Sequence, residues 1–344
     1  AQGGWDGDRD SLDTPPEPEA WSPVAAEGSS CTGRHCPAFS QCVYYDQRKA
    51  LVGAQVIVAN HDLLLSSLGA RVLPELDNCL LVLDEAHHLP ATALDQFACS
   101  ADLSRLTWID RLSSRALRIG TLVEVTEVAD IPRHASQLRQ HLQDLARLVM
   151  DLYGEALKAQ NSAWGPARVR VPRGVLPGAL HEPLGQLAHH AAGFLECLRA
   201  ISKALRSEMR DKPDEARRLS QLYAQIGTLA PRLEAVHATA QLLLQEAPEG
   251  EATGFVPNAK WFTLETDGDF IVVKAHASPI LPGSTLRGHL WSSVRGAVLT
   301  SATLTSCGQF DFFLRESGLH GMDAATTLEV PSPFNYAEIG RAHV

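Results

Sequence analysis

Two adjacent carboxylates, Asp84 and Glu85, have the clearest capacity for chemistry in this chain. They follow the apolar run Leu80–Leu83 and stand shortly before His87. Such a run is typical of a buried strand in a parallel sheet, and open α/β sheets bind ligands at the carboxyl ends of their strands. There Asp84 can hold Mg²⁺ through water, Glu85 can accept the proton of an attacking water, and His87 can report the state of a γ-phosphate. The alternative is a strand leading into an acidic helix N-terminus, where Asp and Glu are also favoured.

A second motif, rich in hydroxyl groups, follows another apolar run. Thr300, Ser301 and Thr303 come after the apolar residues 297–299. These hydroxyls can hydrogen-bond to a backbone phosphate or to the acidic motif. In the second case they would transmit the state of hydrolysis from the acidic motif. D-E-A-H followed much later by T-S-A-T resembles the pairing of motifs II and III in superfamily 2 helicases.

Three closely spaced cysteines, Cys31, Cys36 and Cys42, form the pattern C-x4-C-x5-C. Thiolates are soft ligands that select zinc or iron–sulfur clusters, and close-spaced thiols in a reducing compartment more often bind metal than form disulfides. A zinc-pinned loop is a fair alternative on spacing alone. Three ligands do not complete a tetrahedral site. The other four cysteines stand apart and are interpreted as unreactive buried thiols: Cys79, Cys99, Cys197 and Cys307.

Two further groups are candidates for contact with DNA. Asn60 and His61 follow an apolar run and either cap the next helix or line a DNA groove. A set of aromatic and cationic residues beside the cysteines either grips single strands by stacking and charge or forms a solvated helix face; it comprises Tyr44, Tyr45, Arg48 and Lys49.

The order of these motifs resembles that of the DinG-type, XPD-like iron–sulfur DNA helicases. The cysteine pattern comes first, then V-I-V-A-N-H over residues 56–61, then D-E-A-H and T-S-A-T, and the resemblance runs from about Asp6 to about Ala337. It implies an ATP-dependent 5′–3′ DNA helicase that couples ATP hydrolysis to translocation on single-stranded DNA in repair and replication, within the SOS response. It also implies a bacterial, cytoplasmic, monomeric protein that acts on single-stranded and forked DNA.

The resemblance also assigns the cofactors. A [4Fe-4S] cluster would be held by Cys31, Cys36 and Cys42 with a fourth ligand outside this sequence. Asp84 and Glu85 would bind Mg²⁺ and ATP, the substrate, with His87 beside them. Ser301 and Thr303 would form the coupling motif.

The fold class expected from this organisation is α/β. Leucine stripes at helical spacing after about residue 100 predict a packed helical insertion, exemplified by the set Leu138, Leu142, Leu145, Leu148 and Leu152. Strand-like runs occupy 56–59 and 80–83 before that insertion, and 261–264 and 270–273 flank an Asp267–Gly268 turn after it. Together with the resemblance, this predicts an incomplete RecA-like parallel-sheet domain of the P-loop NTPase type, with an iron–sulfur loop insertion and a helical arch insertion.

The predicted domains follow the same order along the chain. They are a partial iron–sulfur region (1–55), the first part of motor domain 1 (56–99), the helical arch (100–254), the second part of motor domain 1 (255–330), the start of motor domain 2 (331–337) and a tail resembling translated sequencing adapter (338–344). A genuine C-terminus is the alternative for that tail. Pro331 to Phe334 is interpreted as a hinge, or more simply as a proline-rich linker.

Composition sets outer bounds on these interpretations. The 344 residues are 45% hydrophobic, enough for two domains with cores, and the net charge is −10 from 30 basic and 40 acidic residues. The chain as a whole does not carry the net positive charge that is typical of DNA-binding proteins, so DNA binding would need a local basic groove. No apolar run approaches the ~20 residues that span a membrane.

The sequence contains no Gly-Lys pair, so it holds no G-x-x-x-x-G-K-[ST] phosphate-binding loop. By resemblance that loop would precede residue 1 and an arginine-bearing motif would follow residue 344. We therefore expect an internal fragment that hydrolyses no ATP by itself. The rival interpretations are a non-catalytic, metal-pinned nucleic-acid-binding module and the exonuclease branch of the same family.

Overall fold

A computed structural model describes residues 7, 9–14, 16–17, 21, 25–26, 29–70, 72–160, 166–246, 258–267 and 270–331. The chain divides into two compact units, the first made of residues 1–75 and 94–280 and the second of residues 76–93 and 281–344. The described strands are β1 (Leu80–Leu83), β2 (Cys99–Asp102), β3 (Ala167–Arg170), β4 (Asn258–Asp267), β5 (Phe270–Pro279) and β6 (Gly296–Leu299).

The described α-helices are α1 (Val43–Val52), α2 (His61–Ala70), α3 (Leu89–Phe97), α4 (Thr107–Leu122), α5 (Ile131–Ala159), α6 (His181–Asp211), α7 (Ala216–Gly227), α8 (Ala230–Leu244), α9 (Gly283–Leu286) and α10 (Asp311–Ser317). The predicted mixed α/β class is confirmed. None of the helices in the described ranges is both long and apolar enough to cross a membrane.

The first unit is a helical assembly built on a four-stranded antiparallel sheet of order β2-β5-β4-β3. Helices α4, α5, α6 and α8 turn apolar faces inward, and Phe194 and Ile201 of α6 are fully buried there. On the sheet, Phe262 and Ala275 belong to the same core. The predicted helical packing is therefore present, and it includes the sheet.

The apolar stripe of α5 differs in part from the predicted one. Leu138, Leu142 and Leu145 are buried as expected, but the next buried position is Val149, and Leu152 is 44% exposed. An α-helix advances 100° per residue, so the positions i, i+4, i+7 and i+11 lie within about 60° of one another, and the position i+14 lies at the edge of that face. Pro231 lies in the first turn of α8, where its missing amide removes no intrahelical hydrogen bond.

The hairpin predicted after residue 255 is present, but it belongs to the first unit. β4 and β5 pair from Asn258↔Pro279 to Asp267↔Phe270, and the two residues between them lie outside the described ranges. β5 also pairs with β2, and its apolar face, including Val273, is buried in the helical core. The division between the two compact units falls after residue 280.

The predicted strand at 56–59 is not formed. Those residues have no regular secondary structure, and Val56 and Val58 are 80% and 93% exposed. A strand exists only through hydrogen bonds to a neighbour, and within the described residues no backbone group pairs with this segment.

Two buried imidazoles lie between α5 and α6. Nδ1 of His134 is 3.2 Å from Nδ1 of His190, and each side chain belongs to a residue less than 10% exposed. Burial is the main cause that lowers the pKa of both groups below the usual 6.5, with further lowering from Arg133 and from neighbouring imidazoles. Asp130 and Glu196 act in the opposite direction on His134 without reversing the shift.

We expect the stability of the first unit to fall as the pH drops below about 6.5. In that range the two imidazoles bind protons in the unfolded chain that they do not bind in the folded unit. Each such proton lowers the free energy of unfolding by at most about 1.4 kcal/mol per pH unit. Chemical unfolding at neutral and mildly acidic pH measures this slope. The H134Q/H190Q variant should show a shallower slope than wild type, whereas H289Q, at an exposed position of the second unit, should not. Equal slopes for all three proteins would contradict the assignment.

Candidate active site

The candidate site lies in the second unit, at the end of one pair of parallel strands. β1 and β6 align from Leu80↔Gly296 to Leu83↔Leu299. The ladder continues past their ends, since the Thr300 amide donates to the Leu83 carbonyl at 2.8 Å and the Ala86 amide donates to the Thr300 carbonyl at 2.9 Å. The acidic motif and the hydroxyl motif, 216 residues apart in sequence, therefore meet at one edge of the sheet.

Asp84 is held in place by two hydrogen bonds to a single oxygen. The Thr300 hydroxyl donates to Oδ1 at 2.9 Å, and the amide of Glu85 donates to the same oxygen at 3.0 Å. The residue is exposed, and no hydrogen bond within the described part of the chain involves Oδ2. The carboxylate is oriented on one side and open on the other.

Glu85 adopts a left-handed backbone conformation, with φ 48° and ψ 41°. A residue with a Cβ disfavours this region by about 1–2 kcal/mol, and strained positions of this kind cluster at functional sites. The turn ends the strand, buries Ala86 fully and lets its amide reach Thr300. The Glu85 side chain remains 62% exposed.

The side chain of Ser301 connects both motifs. Its hydroxyl is 2.8 Å from Nδ1 of His87 and 3.5 Å from Oε2 of Glu85, and it accepts a hydrogen bond from the Thr303 amide at 3.2 Å. Nδ1 of His87 is also 3.2 Å from the same Glu85 oxygen. Of the two partners predicted for the hydroxyls, the structure shows the acidic motif.

The alternative of a simple acidic helix cap is not what the structure shows. Residues Ala86–His88 form a short 3₁₀ turn, and the Glu85 side chain makes no capping hydrogen bond to it. Both carboxylates are instead directed to the hydroxyl motif.

Asn60 is a helix cap, which was one of its two predicted roles. Its Oδ1 accepts a hydrogen bond from the Leu63 amide at 2.8 Å, and α2 begins at the next residue, His61. The cap satisfies one of the amides that every helix N-terminus leaves free.

Replacing the cap is expected to destabilise α2 by about 1 kcal/mol, the usual cost of removing an N-cap acceptor. Asn60→Ala should therefore speed amide hydrogen exchange over residues 61–70, whereas Asn60→Asp keeps an acceptor and should preserve protection. Identical exchange in N60A and wild type would show that the cap contributes nothing.

The three clustered cysteines lie in one short segment of the first unit. Cys31 precedes the turn Gly33–His35, Cys36 ends that turn, and Cys42 precedes α1. Within the described ranges, no three Cys, His, Asp or Glu side chains are grouped as a metal ion would require.

The aromatic residues beside the cysteines pack on one another. The Tyr45 ring lies 4.8 Å from Phe39 and 5.2 Å from Tyr44, and its hydroxyl is 3.9 Å from the Cys31 sulfur. Burial, and next the Cys31 thiol, raise the pKa of Tyr45. Lys49 pairs with Asp46, and Arg48 donates to the Tyr44 hydroxyl at 3.5 Å. Residues 332–334 of the predicted hinge and the predicted tail 338–344 lie outside the described ranges.

The left-handed conformation of Glu85 is the functional detail that sequence reasoning misses. Glutamate is not a residue type that signals a positive φ, and only its position between a strand and a turn hints at one. The three contacts of the Ser301 hydroxyl, with His87, Glu85 and the Thr303 amide, were likewise not evident from spacing.

Residues 33–106, which include the acidic motif, match the DEAD_2 family model. Over 98% of its length the chain is 31% identical to the ATP-dependent DNA helicase DinG of Photobacterium profundum and 29% identical to that of Escherichia coli strain K12. The DinG of Salmonella typhimurium is 28% identical over the same share.

These matches confirm the resemblance to DinG-type DNA helicases that the order of motifs predicts. The chain spans about half the length of these relatives, 48% of the Photobacterium protein and 46% of the two others.

Proposed function

We propose that this chain carries part of the ATP-hydrolysing motor of a DinG-type DNA helicase. The observation that carries the proposal is the hydrogen bond between the Thr300 hydroxyl and the Asp84 carboxylate. It joins the two motifs at the carboxyl ends of adjacent parallel strands, where open α/β sheets bind nucleotides. The DinG relatives, named as ATP-dependent DNA helicases, support the same assignment.

The donor set suits Mg²⁺ bound together with ATP. Magnesium prefers oxygen ligands and is usually held by one or two carboxylates, the remaining positions being water and phosphate oxygens. Asp84 would hold the ion through water at its open Oδ2. When bound, the ion neutralises charge that develops on the phosphates.

Glu85 would act on the attacking water. Its exposed carboxylate, fixed at the turn by the left-handed backbone, is placed to accept a proton. In the described arrangement its Oε2 lies beside His87 and Ser301. A change in the position of Glu85 during hydrolysis would therefore alter its contact with Ser301, and through Ser301 the contact with Thr303. This chain of contacts is a route for coupling hydrolysis to DNA.

The Thr300 hydroxyl tests this proposal. Thr300→Val keeps the side-chain shape and removes the donor to Asp84, so we expect ATP hydrolysis to fall by about tenfold, the effect of losing roughly 1.4 kcal/mol of orientation. The assay needs a polypeptide that carries this chain together with a phosphate-binding loop. Thr305→Val is the matched control, because Thr305 is exposed and outside the network. A T300V enzyme as active as T305V would argue against the proposal.

Several finer features remain proposals that rest on the family resemblance. They are 5′–3′ translocation on single-stranded and forked DNA, a role in repair and the SOS response, a cytoplasmic location, a monomeric state, the RecA-like fold of the parallel-sheet unit and the domain limits, including the helical arch. The inactivity of the chain by itself belongs with them.

The iron–sulfur cluster also remains a proposal, carried by thiolate chemistry and by the C-x4-C-x5-C spacing of Cys31, Cys36 and Cys42. It is supported by the placement of all three thiols in one short segment. Anaerobic reconstitution followed by iron and sulfide analysis tests it, with Cys307→Ser as the control for each single Cys→Ser change at the three positions. Zinc in place of iron would favour the zinc-pinned loop.

A further inference from the structure

A second histidine, His88, directly follows the imidazole that connects the two motifs of the candidate site. The centre of its ring lies 3.8 Å from that of His87, and the two ring planes are inclined by 42°. His88 is exposed, and its imidazole makes no hydrogen bond or ion pair with any residue that the structure describes. Among the described residues, the ring of His87 is therefore the group through which the His88 side chain can act.

Helical spacing alone does not bring the two rings together. Consecutive side chains of a helix point in directions about 100° or more apart and do not face each other. Both side chains must turn toward each other from the Ala86–His88 turn for their ring centres to come within 3.8 Å. The contact consequently restricts the rotamers of both histidines.

The backbone of His88 is fixed on both sides. Its amide donates to the Glu85 carbonyl at 3.0 Å, and its carbonyl accepts a hydrogen bond from the Thr92 hydroxyl, also at 3.0 Å. The next two residues, Leu89 and Pro90, are buried at the start of α3. A ring on a backbone held in this way is a stable surface for the His87 imidazole.

The position of the His87 ring matters because one nitrogen makes both of its contacts with the motifs. Nδ1 lies 2.8 Å from the Ser301 hydroxyl oxygen and 3.2 Å from Oε2 of Glu85. The His87 side chain is 31% exposed, so its ring can rotate toward solvent, and that rotation would end both contacts together. A neighbouring ring in contact opposes the rotation, since tilted aromatic rings attract each other.

We propose that His88 is a positioning residue, whose ring holds Nδ1 of His87 against Ser301 and Glu85. The inference rests on the proposed function, in which Glu85 acts on the attacking water and Ser301 transmits its position. The His88 ring acts through His87 and not on the reacting groups themselves. Its loss should therefore change the orientation of Glu85 and leave the binding of ATP at Asp84 as it is.

The position of the His87 ring is tested on the 344-residue chain labelled with ¹⁵N-histidine, by long-range proton–nitrogen NMR correlation of the imidazoles. H87N removes one set of ring resonances and so assigns them. H88A is the test variant, and H88F restores an aromatic ring without the imidazole nitrogens. H289A is the matched control, because His289 is an exposed histidine of the same unit. Circular dichroism and thermal melting establish that the variants are folded, as expected for exposed positions.

H88A is expected to shift the His87 Nδ1 resonance toward that of an imidazole free in solvent. H88F and H289A should leave this resonance at its wild-type position. An unchanged resonance in H88A, or a shift in H88A that H88F does not reverse, would overturn the proposal.

The consequence for the reaction is measured as ATP turnover by a polypeptide that carries this chain together with a phosphate-binding loop. H88A is expected to lower kcat by about twofold to tenfold, the range that the attraction of one ring pair supports. KM for ATP should not change, because Asp84 and its Thr300 contact are untouched. H88F should recover the turnover that H88A loses.

E85Q in the same assay separates this inference from the proposed function on which it rests. Wild-type turnover in E85Q would overturn the proposed function and the role of His88 with it. A loss of turnover in E85Q with none in H88A would overturn the role of His88 alone.

Discussion

Glu85→Gln is expected to lower DNA-stimulated ATP hydrolysis by a factor on the order of 10²–10⁴, the contribution typical of a general base. The amide is nearly the same shape as the carboxylate and can keep a hydrogen bond to Ser301, but it cannot accept the proton of the attacking water. ATP binding should persist, because Asp84 and its Thr300 contact are untouched. Steady-state turnover, measured beside nucleotide binding on a polypeptide that also carries a phosphate-binding loop, separates these two effects.

Glu124→Gln is the matched control for that substitution. Glu124 is also an exposed glutamate with a left-handed backbone, at φ 54°, but it lies in the first unit. E124Q should keep wild-type turnover. An E85Q protein that hydrolyses ATP at the wild-type rate would remove Glu85 from the catalytic role. The 344-residue chain alone is expected to show no turnover at all, and activity of the chain alone that E85Q abolishes would contradict that expectation.

Phe194→Ala is expected to destabilise the first unit by about 3–5 kcal/mol, the range for removing a buried aromatic side chain. Phe194 is fully buried in the core that α6 shares with its neighbouring helices. Truncation removes the transfer energy of the ring and leaves a void that close-packed neighbours fill only partly. Denaturant unfolding followed by circular dichroism gives the change in free energy of unfolding.

Phe270→Ala provides the comparison, because Phe270 is the first residue of β5 in the same unit and is 73% exposed. Its replacement should change stability by no more than about 0.5 kcal/mol. Similar losses for F194A and F270A would mean that the helical core described here is not the cooperative core of the unit.

Local sequence patterns predict much of this fold, because apolar residues that repeat at the period of a helix or strand lie on the face of that element that is buried. Leu184, Leu187 and Phe194 repeat at helical spacing, and all three are buried on α6. The hairpin around residue 268 follows from two β-rich runs and a turn signal. Such features depend on residues near one another in sequence.

Features that depend on distant partners were not predictable in the same way. Residues 56–59 have the composition of a strand, but composition does not supply the neighbour that a strand needs. The hairpin's unit is decided by its pairing with β2, about 170 residues earlier in the chain. At Glu85 the sequence indicates a carboxylate at a strand end, whereas the left-handed turn arises because the Ala86 amide bonds to Thr300 on the neighbouring strand.

The role of Asp84 and Glu85 in ATP hydrolysis is tested most simply by sequencing the DNA that flanks this reading frame. A carboxylate pair at the end of β1 can act on ATP only if a phosphate-binding loop lies on the same sheet. We predict an in-frame G-x-x-x-x-G-K-[ST] loop upstream and an arginine-bearing helicase motif downstream. A reading frame that is continuous on both sides but encodes neither motif would contradict it.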